Sequence, residues 1–168
     1  MKRKPAVFFD RDGVLNVDKG YVFRWEDVQW IPGAIETIRY FNEHGCLTFV
    51  VTNQSGVARG YYTEEDIRIL HRSIELELAR NGAHIDHFYY CPHHPEGTAP
   101  EYKQNCMCRK PLPGMIHQAF TDWPIDKEAS FLIGDKQSDI LAAEAAGIEG
   151  YLFTGGNLYE YLRQHAKL

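Results

Sequence analysis

Short apolar or aromatic runs alternate with amphipathic stretches along this chain of 168 residues. The apolar runs predict five buried strands, at residues 6–9, 47–51, 88–90, 130–133 and 151–153. Apolar residues at helical spacing predict helices between them, at residues 32–45, 63–82, 113–120, 140–146 and 158–162. Strands that alternate with helices are typical of an α/β fold with a mostly parallel sheet between helices.

Two segments break this alternation. Residues 14–31 lack clean periodicity and are interpreted as an irregular flap, which is too short to form a cap domain. Residues 91–111 carry three cysteines and several prolines, and they predict an insertion without regular structure. With 44% hydrophobic residues, the whole chain, residues 1–168, is expected to form a single domain.

Composition narrows the range of partners. The net charge is −5 and the basic residues form no long run, which argues against nucleic acid or a membrane surface as a partner. The first residues are basic, but the apolar run behind them is too short for a signal-peptide core or a membrane span. We therefore expect a cytoplasmic protein that works as a monomer on a small substrate.

Polar side chains follow three of the predicted strands. Asp10 and Asp12 follow the first strand, and polar residues follow the second and the fourth in the same way, namely Thr52, Asn53, Asp135 and Asp139. The carboxyl ends of parallel strands line the crevice in which ligands of open α/β sheets bind. Alone, the Asp10–Gly13 run is equally well explained as an ordinary turn.

Several carboxylates in one crevice need a cation, and hard oxygen ligands suit Mg²⁺. Lys110 and Thr52 would supply a positive charge and a hydroxyl donor for a phosphate. One carboxylate can then act as a nucleophile and a second can protonate the leaving oxygen, which is phosphoryl-transfer chemistry. Asp139 is explained equally well as a metal ligand or as a helix cap, and Asn53 either closes a turn or orients backbone.

The second candidate metal site lies in the insertion. Three thiols and one imidazole, from Cys91, His93, Cys106 and Cys108, are enough for a closed tetrahedral zinc site of the structural kind. His94 could replace His93, and the alternative is that these residues bind no metal. The insertion runs directly into Arg109 and Lys110, so bound zinc would hold two cations over the mouth of the crevice.

The four strand-end motifs resemble those of the haloacid dehalogenase (HAD) superfamily of phosphohydrolases. They are Asp-Arg-Asp-Gly-Val-Leu at 10–15, Thr52-Asn53, Lys110, and Gly134-Asp135 with Asp139. The resemblance implies a Rossmann-like sheet of order 3-2-1-4-5. It also implies that Asp10 is the nucleophile, that Asp12 is the general acid, and that Mg²⁺ is held by the Asp10 side chain, the Asp12 backbone carbonyl and Asp135.

Further marks are similar to a capless branch of that superfamily, which contains heptose-bisphosphate and histidinol-phosphate phosphatases. They are Cys-Pro-His at 91–93 and Cys-x-Cys-Arg-Lys-Pro at 106–111. Sequences in the flap, at 18–22, and after the second strand, at 55–60, favour the heptose group. The resemblance implies removal of the 7-phosphate of D-glycero-D-manno-heptose 1,7-bisphosphate through an aspartyl-phosphate.

The same resemblance implies which residues contact the substrate: Asp18, Lys19, Gly20, Tyr21, Thr52, Asn53, Gln54, Ser55, Arg109, Lys110 and Lys136. Histidinol phosphate or another small sugar phosphate is the alternative substrate. A zinc-binding interaction module is the non-enzymatic alternative, but it would leave the strand-end carboxylates without a shared purpose.

Overall fold

The computed structural model of the chain describes residues 2–166. Met1, Lys167 and Leu168, which the predicted domain includes, lie outside the described residues. The five strands are β1 Ala6–Phe9, β2 Leu47–Asn53, β3 His87–Cys91, β4 Phe131–Gly134 and β5 Glu149–Leu152.

The strands form one parallel sheet in the order β3-β2-β1-β4-β5, which confirms the predicted fold class and strand order. β1 is central: Phe8 pairs with Phe49 of β2 on one side and with Leu132 of β4 on the other. All four β1 residues are buried, as a strand covered on both faces requires. This topology brings the ends of β1, β2 and β4 side by side.

Five helices cover the sheet: α1 Ala34–Glu43, α2 Glu64–Arg80, α3 Gly114–Asp122, α4 Gln137–Ala146 and α5 Leu158–His165. The predicted N-cap of α2 is present, since Thr63 Oγ1 accepts from Asp66 N and Asp66 Oδ2 accepts from Thr63 N. The apolar stripe of α2 is buried. Each predicted helix is therefore confirmed in existence and type.

Some boundaries were predicted wrongly. β5 begins two residues earlier than expected and ends at Leu152, and α5 extends beyond Leu162 to His165. α4 begins at Gln137 rather than Ile140, because the side chain of Asp139 caps its first turn by accepting from Lys136 N at 3.1 Å. Polar residues at the start of a helix are assigned to the preceding loop when the capping residue is not recognised.

Two apolar layers sandwich the sheet. One packs Val7, Phe9 and Val50 against α1, α2 and α5, and the other packs Phe8, Phe49 and Leu132 against α3 and α4. Alternate residues of β1 thus point into opposite layers, as a strand's two-residue period dictates. Packing on both faces of the sheet fixes the direction of β1. It therefore also fixes the position of the residues that follow the strand.

The flap contains one 3₁₀ turn, Trp25–Asp27, and within the described residues it forms no separate cap. The insertion after β3 is built of turns and bends, although Cys91 itself belongs to the strand. No helix between residues 2 and 166 is long and apolar enough to cross a membrane.

Candidate active site

A cleft of about 570 Å³ opens at the carboxyl ends of β1, β2 and β4. Most of the residues that sequence reasoning assigned to the site line it. Its lining is Asp10, Asp12, Asp18, Gly20, Tyr21, Thr52, Asn53, Gln54, Ser55, Tyr62, Arg109, Lys110, Pro111, Lys136, Ser138 and Asp139.

Lys110 forms the charged centre of the cleft floor and is only 5% exposed. Its Nζ donates to Asp10 Oδ1 at 2.9 Å, to Asp139 Oδ1 at 2.5 Å and to the Val51 carbonyl at 2.9 Å. Asp10 and Asp139 are themselves buried. Most lysines lie on the surface, whereas Lys110 is buried and paired with these three acceptors.

Burial and ion pairing have opposite effects on the pKa values of Asp10 and Lys110. Burial raises the pKa of Asp10 well above its usual range; Lys110 opposes that shift and Asp139 adds to it. Burial lowers the pKa of Lys110, but the two carboxylates outweigh it, and the net shift is upward. Lys110 therefore stays charged at neutral pH and is the counter-ion for two carboxylates.

Asp135 completes a cluster of three carboxylates suited to a hard cation. Carboxylate oxygens of Asp10, Asp135 and Asp139 lie within 4.8 Å of one another. Asp135 Oδ1 is buried and has no hydrogen-bond partner among the described residues, and burial raises the pKa of its carboxyl group. An orphaned buried oxygen beside another carboxylate fits Mg²⁺, which favours oxygen ligands.

Both oxygens of Asp139 are already engaged, one by Lys110 Nζ and the other by Lys136 N. Asp135 has an oxygen free of such contacts. The geometry therefore favours the capping and counter-ion role for Asp139 over direct ligation, and favours Asp135 as the ligand.

The Asp12 carboxylate faces the cleft and is held by three side chains. Arg11 Nη2 donates to Oδ1 at 3.1 Å, Asn16 Nδ2 donates to Oδ1 at 3.0 Å, and Gln54 Nε2 donates to Oδ2 at 3.1 Å. Its side chain is 20% exposed, against 9% for Asp10. The two carboxylates thus differ in access as well as in partners.

Gln54 is 2% exposed, and both ends of its amide are fixed. Tyr62 donates its hydroxyl to Gln54 Oε1 at 2.6 Å, so that Nε2 must face Asp12 and Thr52. Burial raises the pKa of Tyr62 to about 12, which keeps the phenol protonated. Thr52 Oγ1 accepts from Gln54 Nε2 at 2.9 Å, and its own hydroxyl donates to the Asn53 carbonyl at 3.5 Å, a long contact that a phosphate oxygen could replace.

Asn53 joins the end of β2 to the end of the cysteine insertion. Its Oδ1 accepts from Lys110 N at 3.0 Å and its Nδ2 donates to Lys110 O at 3.2 Å. This reciprocal pair orients the Lys110 backbone, which favours the backbone-orienting interpretation over a simple turn.

The four zinc-candidate side chains converge on one point in the insertion. Their sulfurs lie 2.7–3.4 Å apart, and His93 Nδ1 lies 3.7 Å from Cys91 Sγ and 3.5 Å from Cys108 Sγ. Four ligands around a tetrahedral zinc ion lie roughly 3.3–3.8 Å from one another. All four cysteines of the chain are free thiols.

The cluster favours a thiolate. Hydrogen bonding with the Cys91 and Cys106 thiols and with His93 lowers the pKa of Cys108 to about 5, while the same contact with Cys108, together with burial, raises the pKa of Cys91. His94 is not part of the cluster: its Nδ1 accepts from Glu96 N, and its Nε2 lies 3.5 Å from Arg59 Nη2. The geometry thus separates the two histidines that the sequence left as alternatives.

The predicted substrate-contact residues divide into two groups. Asp18, Gly20 and Tyr21 of the flap line the cleft, and so do the predicted contacts from the other loops. Lys19 is exposed and is not part of the lining, because the turn that Asp18 makes by accepting from Gly20 N at 3.0 Å carries it outward.

Sequence reasoning missed Arg11, Asn16, Tyr62 and His71. Arg11 is fully buried, and its Nη1 lies 3.2 Å from Nε2 of His71, which is 60 positions away in the chain. Arg11 lies between a buried strand and the apolar pair Val14 and Leu15, which was a signal that its charge needs buried partners, but the sequence does not identify them.

The chain matches known proteins along most of its length. A family model described as HAD-hydrolase-like matches residues 107–166. The D-glycero-β-D-manno-heptose-1,7-bisphosphate 7-phosphatase of Rhodopseudomonas palustris is 48% identical over 162 residues, 96% of this chain and 90% of that protein. The enzyme of the same name from Escherichia coli K12 is 45% identical over 147 residues, 88% of this chain and 77% of that protein.

Solved structures agree with these relatives. The D,D-heptose 1,7-bisphosphate phosphatase of B. bronchiseptica, complexed with magnesium and phosphate, has a TM-score of 0.81 at 31% identity, over 95% of this chain and 86% of that one. The corresponding structure from Burkholderia thailandensis has a TM-score of 0.62 at 26% identity, over 96% of this chain and 85% of that one.

Proposed function

Because the chain belongs to the D-glycero-β-D-manno-heptose-1,7-bisphosphate 7-phosphatase family of HAD-like hydrolases, we propose that it removes the 7-phosphate from that sugar bisphosphate. The observation that carries the proposal is the pairing of two differently placed carboxylates at one strand end. Asp10 is buried against Lys110, and Asp12 faces the cleft beside Thr52 and Gln54.

The first step forms a bond between an Asp10 carboxylate oxygen and phosphorus. Arg11 N and Lys110 Nζ both donate to Asp10 Oδ1 at 2.9 Å, which fixes the rotation of the carboxylate before substrate arrives. A fixed nucleophile avoids the entropy cost of orienting it during the reaction. As the bond to phosphorus forms, the bond from phosphorus to the sugar O7 breaks, and its electron pair leaves with O7.

Asp12 serves the leaving oxygen in this proposal. Protonated, it gives its proton to O7, so that the sugar leaves as a neutral alcohol. The ionised Asp12 then takes a proton from water as that water attacks the aspartyl-phosphate, and the Asp10 carboxylate is released. The hydroxyl of Thr52 and the ammonium of Lys110 stabilise the phosphoryl oxygens during both transfers.

Mg²⁺ is the divalent cation that Asp10, Asp135 and the Asp12 backbone carbonyl would hold, and when bound it neutralises charge on the transferring phosphoryl group. The orphaned Asp135 Oδ1 supports this assignment. Asp139 supports the site indirectly, by sharing Lys110 with Asp10.

Zn²⁺ is the ion that we propose for Cys91, His93, Cys106 and Cys108, in a structural role, since four protein ligands leave no open position. Arg109 follows the last ligand directly and lines the cleft, and its Nη1 is buried without a partner among the described residues. Arg109 is therefore placed to bind the distal phosphate of a bisphosphate.

Unpaired thiols are typical of reducing compartments, which supports the cytoplasmic location that we propose. Since Asp10, Asp12, Thr52 and Lys110 of a single chain already supply the proposed catalytic set, we propose activity as a monomer. The other substrate contacts that we propose, from Asp18, Gly20, Tyr21, Ser55 and Lys136, surround the same cleft.

A phosphate-release panel in the presence of Mg²⁺ tests the proposal. It compares D-glycero-β-D-manno-heptose 1,7-bisphosphate, its α anomer, histidinol phosphate and hexose phosphates at matched concentrations. We expect the β-heptose bisphosphate to have the highest kcat/KM. A higher kcat/KM for histidinol phosphate would overturn the substrate, and no release from any phosphomonoester would overturn the enzyme class.

A further inference from the structure

The guanidinium of Arg11 is buried between three elements that the proposed chemistry treats separately. The side chain is 0% exposed. Its Nη2 donates to the Val22 carbonyl of the flap at 2.7 Å and to Asp12 Oδ1 at 3.1 Å, while Nη1 lies 3.2 Å from His71 Nε2 on α2. One side chain thus contacts the flap, the proposed general acid and a helix.

We infer that His71 is a positioning residue for the reaction, which acts through Arg11 to hold both the Asp12 carboxylate and the flap in place. This inference rests on the proposed role of Asp12 as the acid that protonates the leaving oxygen. The role of His71 goes beyond that assignment, since its side chain lies behind Arg11 rather than in the cleft lining.

Toward Arg11, His71 can act only as a hydrogen-bond acceptor. A guanidinium carries only donors, so His71 Nε2 must accept, which requires a neutral ring with its proton on Nδ1. Burial, and secondarily the charge of Arg11, lower the pKa of His71 well below its usual value. The ring stacks on Phe88 with centroids 4.4 Å apart, which fixes the direction of Nε2.

The three acceptors together engage all three nitrogens of the guanidinium. Asp12 accepts from Nε and Nη2, Val22 accepts from Nη2, and His71 accounts for Nη1. Without the His71 acceptor, Nη1 would be a buried donor with nothing to bind, a costly state that the side chain can relieve only by turning. That rotation withdraws donors from Asp12 and from the flap carbonyl.

Loss of the restraint on Asp12 should affect the step in which Asp12 donates its proton. Substrates whose leaving group is an alkoxide need a well-aimed acid, whereas 4-nitrophenolate is stable enough to leave without one. Loss of the restraint on Asp12 should therefore reduce kcat/KM for an alkyl phosphate more than kcat/KM for 4-nitrophenyl phosphate. A general loss of folded protein would reduce both equally.

The test compares His71→Leu with His71→Gln, whose side-chain oxygen can reach the place of Nε2 and accept. We expect His71→Leu to lose about tenfold more kcat/KM on the heptose bisphosphate than on 4-nitrophenyl phosphate, a part of the 10²–10⁴-fold that general acids contribute. His71→Gln should restore the ratio to within about threefold of the wild type. Ile74→Val, a buried change one turn along α2, serves as the control and should leave the ratio unchanged.

Hydrogen exchange provides a second readout, because amides near Val22 should exchange faster in His71→Leu and not in His71→Gln. If His71→Leu does not fold, His71→Asn, which is polar but too short to reach Arg11, should give the same selective loss. Equal losses on the two substrates, or no rescue by glutamine in a folded protein, would overturn the inference. A wild type that is inactive on the heptose bisphosphate but active on another alkyl phosphate overturns only the proposed substrate, and the ratio is then measured on that alkyl phosphate.

Discussion

The two candidate metal centres of this protein are built in opposite ways. The carboxylate centre lies at the ends of β1 and β4, two paired central strands, so sheet register fixes its backbone. The thiolate centre takes three of its four ligands from a segment of turns and bends after β3. The first centre contains its own counter-ion, Lys110, whereas the second gathers three thiols and an imidazole without one.

This difference indicates which centre depends on its metal ion for its structure. Buried carboxylates paired with a buried lysine form a defined arrangement from protein atoms alone. A loop with little regular structure cannot offset its ordering entropy by burial, and metal binding contributes that free energy. We therefore expect Mg²⁺ to affect the chemical step, and Zn²⁺ to affect the order of the loop that carries Arg109. Lys110 is held separately, by Asp10, Asp139 and Asn53.

The largest effect should come from Asp10→Asn. Without the nucleophile, kcat should fall on the order of 10³-fold or more. Lys110 keeps Asp139 as a partner, so the fold and the zinc content per chain should stay at the wild-type level. Steady-state kinetics and elemental analysis of the same sample check this, and a variant that loses zinc together with activity would show that the two centres are not separable.

Lys110→Met should be the most destabilising single change in the cleft. It leaves Asp10 and Asp139 buried without their cation, and breaking a buried ion pair by removing one partner costs about 3–5 kcal/mol. Denaturant unfolding without metal measures the cost. Lys136→Met, at an exposed cleft residue, is the matched control and should change stability by less than about 0.5 kcal/mol.

Removal of zinc should weaken substrate binding rather than stop chemistry. Cys108→Ser, or chelation of the wild type followed by restoration of Mg²⁺, should raise KM about tenfold because Arg109 and the loop must be ordered by the substrate. The value of kcat should change much less. His94→Ala is the control and should keep its zinc, since His94 lies outside the cluster. Unchanged kinetics in protein shown to be free of zinc would contradict the positioning role.

A smaller effect is expected at the contact that ties the insertion to α2. Tyr102 and Tyr90 both donate to Glu64, at 2.6 and 2.8 Å, and the bond from Tyr102 is the main reason that the pKa of Glu64 lies below its ordinary 4.5. Tyr102→Phe should cost about 1 kcal/mol, since the two side chains are only half-buried and Glu64 keeps its bond from Tyr90.

The pH dependence of that contact has a fixed sign. Because folding lowers the pKa of Glu64, the contact stabilises the fold fully above pH 4.5 and loses this contribution as pH falls through the folded value. Tyr102→Phe should therefore lose less stability than the wild type on acidification below pH 4.5. Parallel stability curves for the two proteins over that range would contradict the assignment.

The sequence was sufficient to predict the features that the sheet topology determines. Apolar runs predicted the strands, and the rule that parallel strands end at one edge brought Asp10, Thr52 and Asp135 to one crevice. Cysteine spacing indicated the second cluster in the same way. These inferences depend on local pattern and on one topological rule, so they need no knowledge of side-chain packing.

The rest depends on contacts between distant segments, which local patterns do not encode. Lys110 meets Asp10 across 100 positions, and Arg11 meets His71 across 60. His71 lies among the apolar residues of α2, where a histidine looks like part of the core stripe. Lys19 is exposed while its neighbours line the cleft, so its predicted contact with the substrate stays a prediction.

The most direct test of the account is the position of the bond that breaks. Phosphorus NMR can follow D-glycero-β-D-manno-heptose 1,7-bisphosphate as it is incubated with the wild-type protein and Mg²⁺, with Asp10→Asn as the blank. The account predicts that inorganic phosphate appears as the C7 phosphate signal disappears, while the C1 phosphate signal persists. Release from C1, or equal release from both positions, would contradict it.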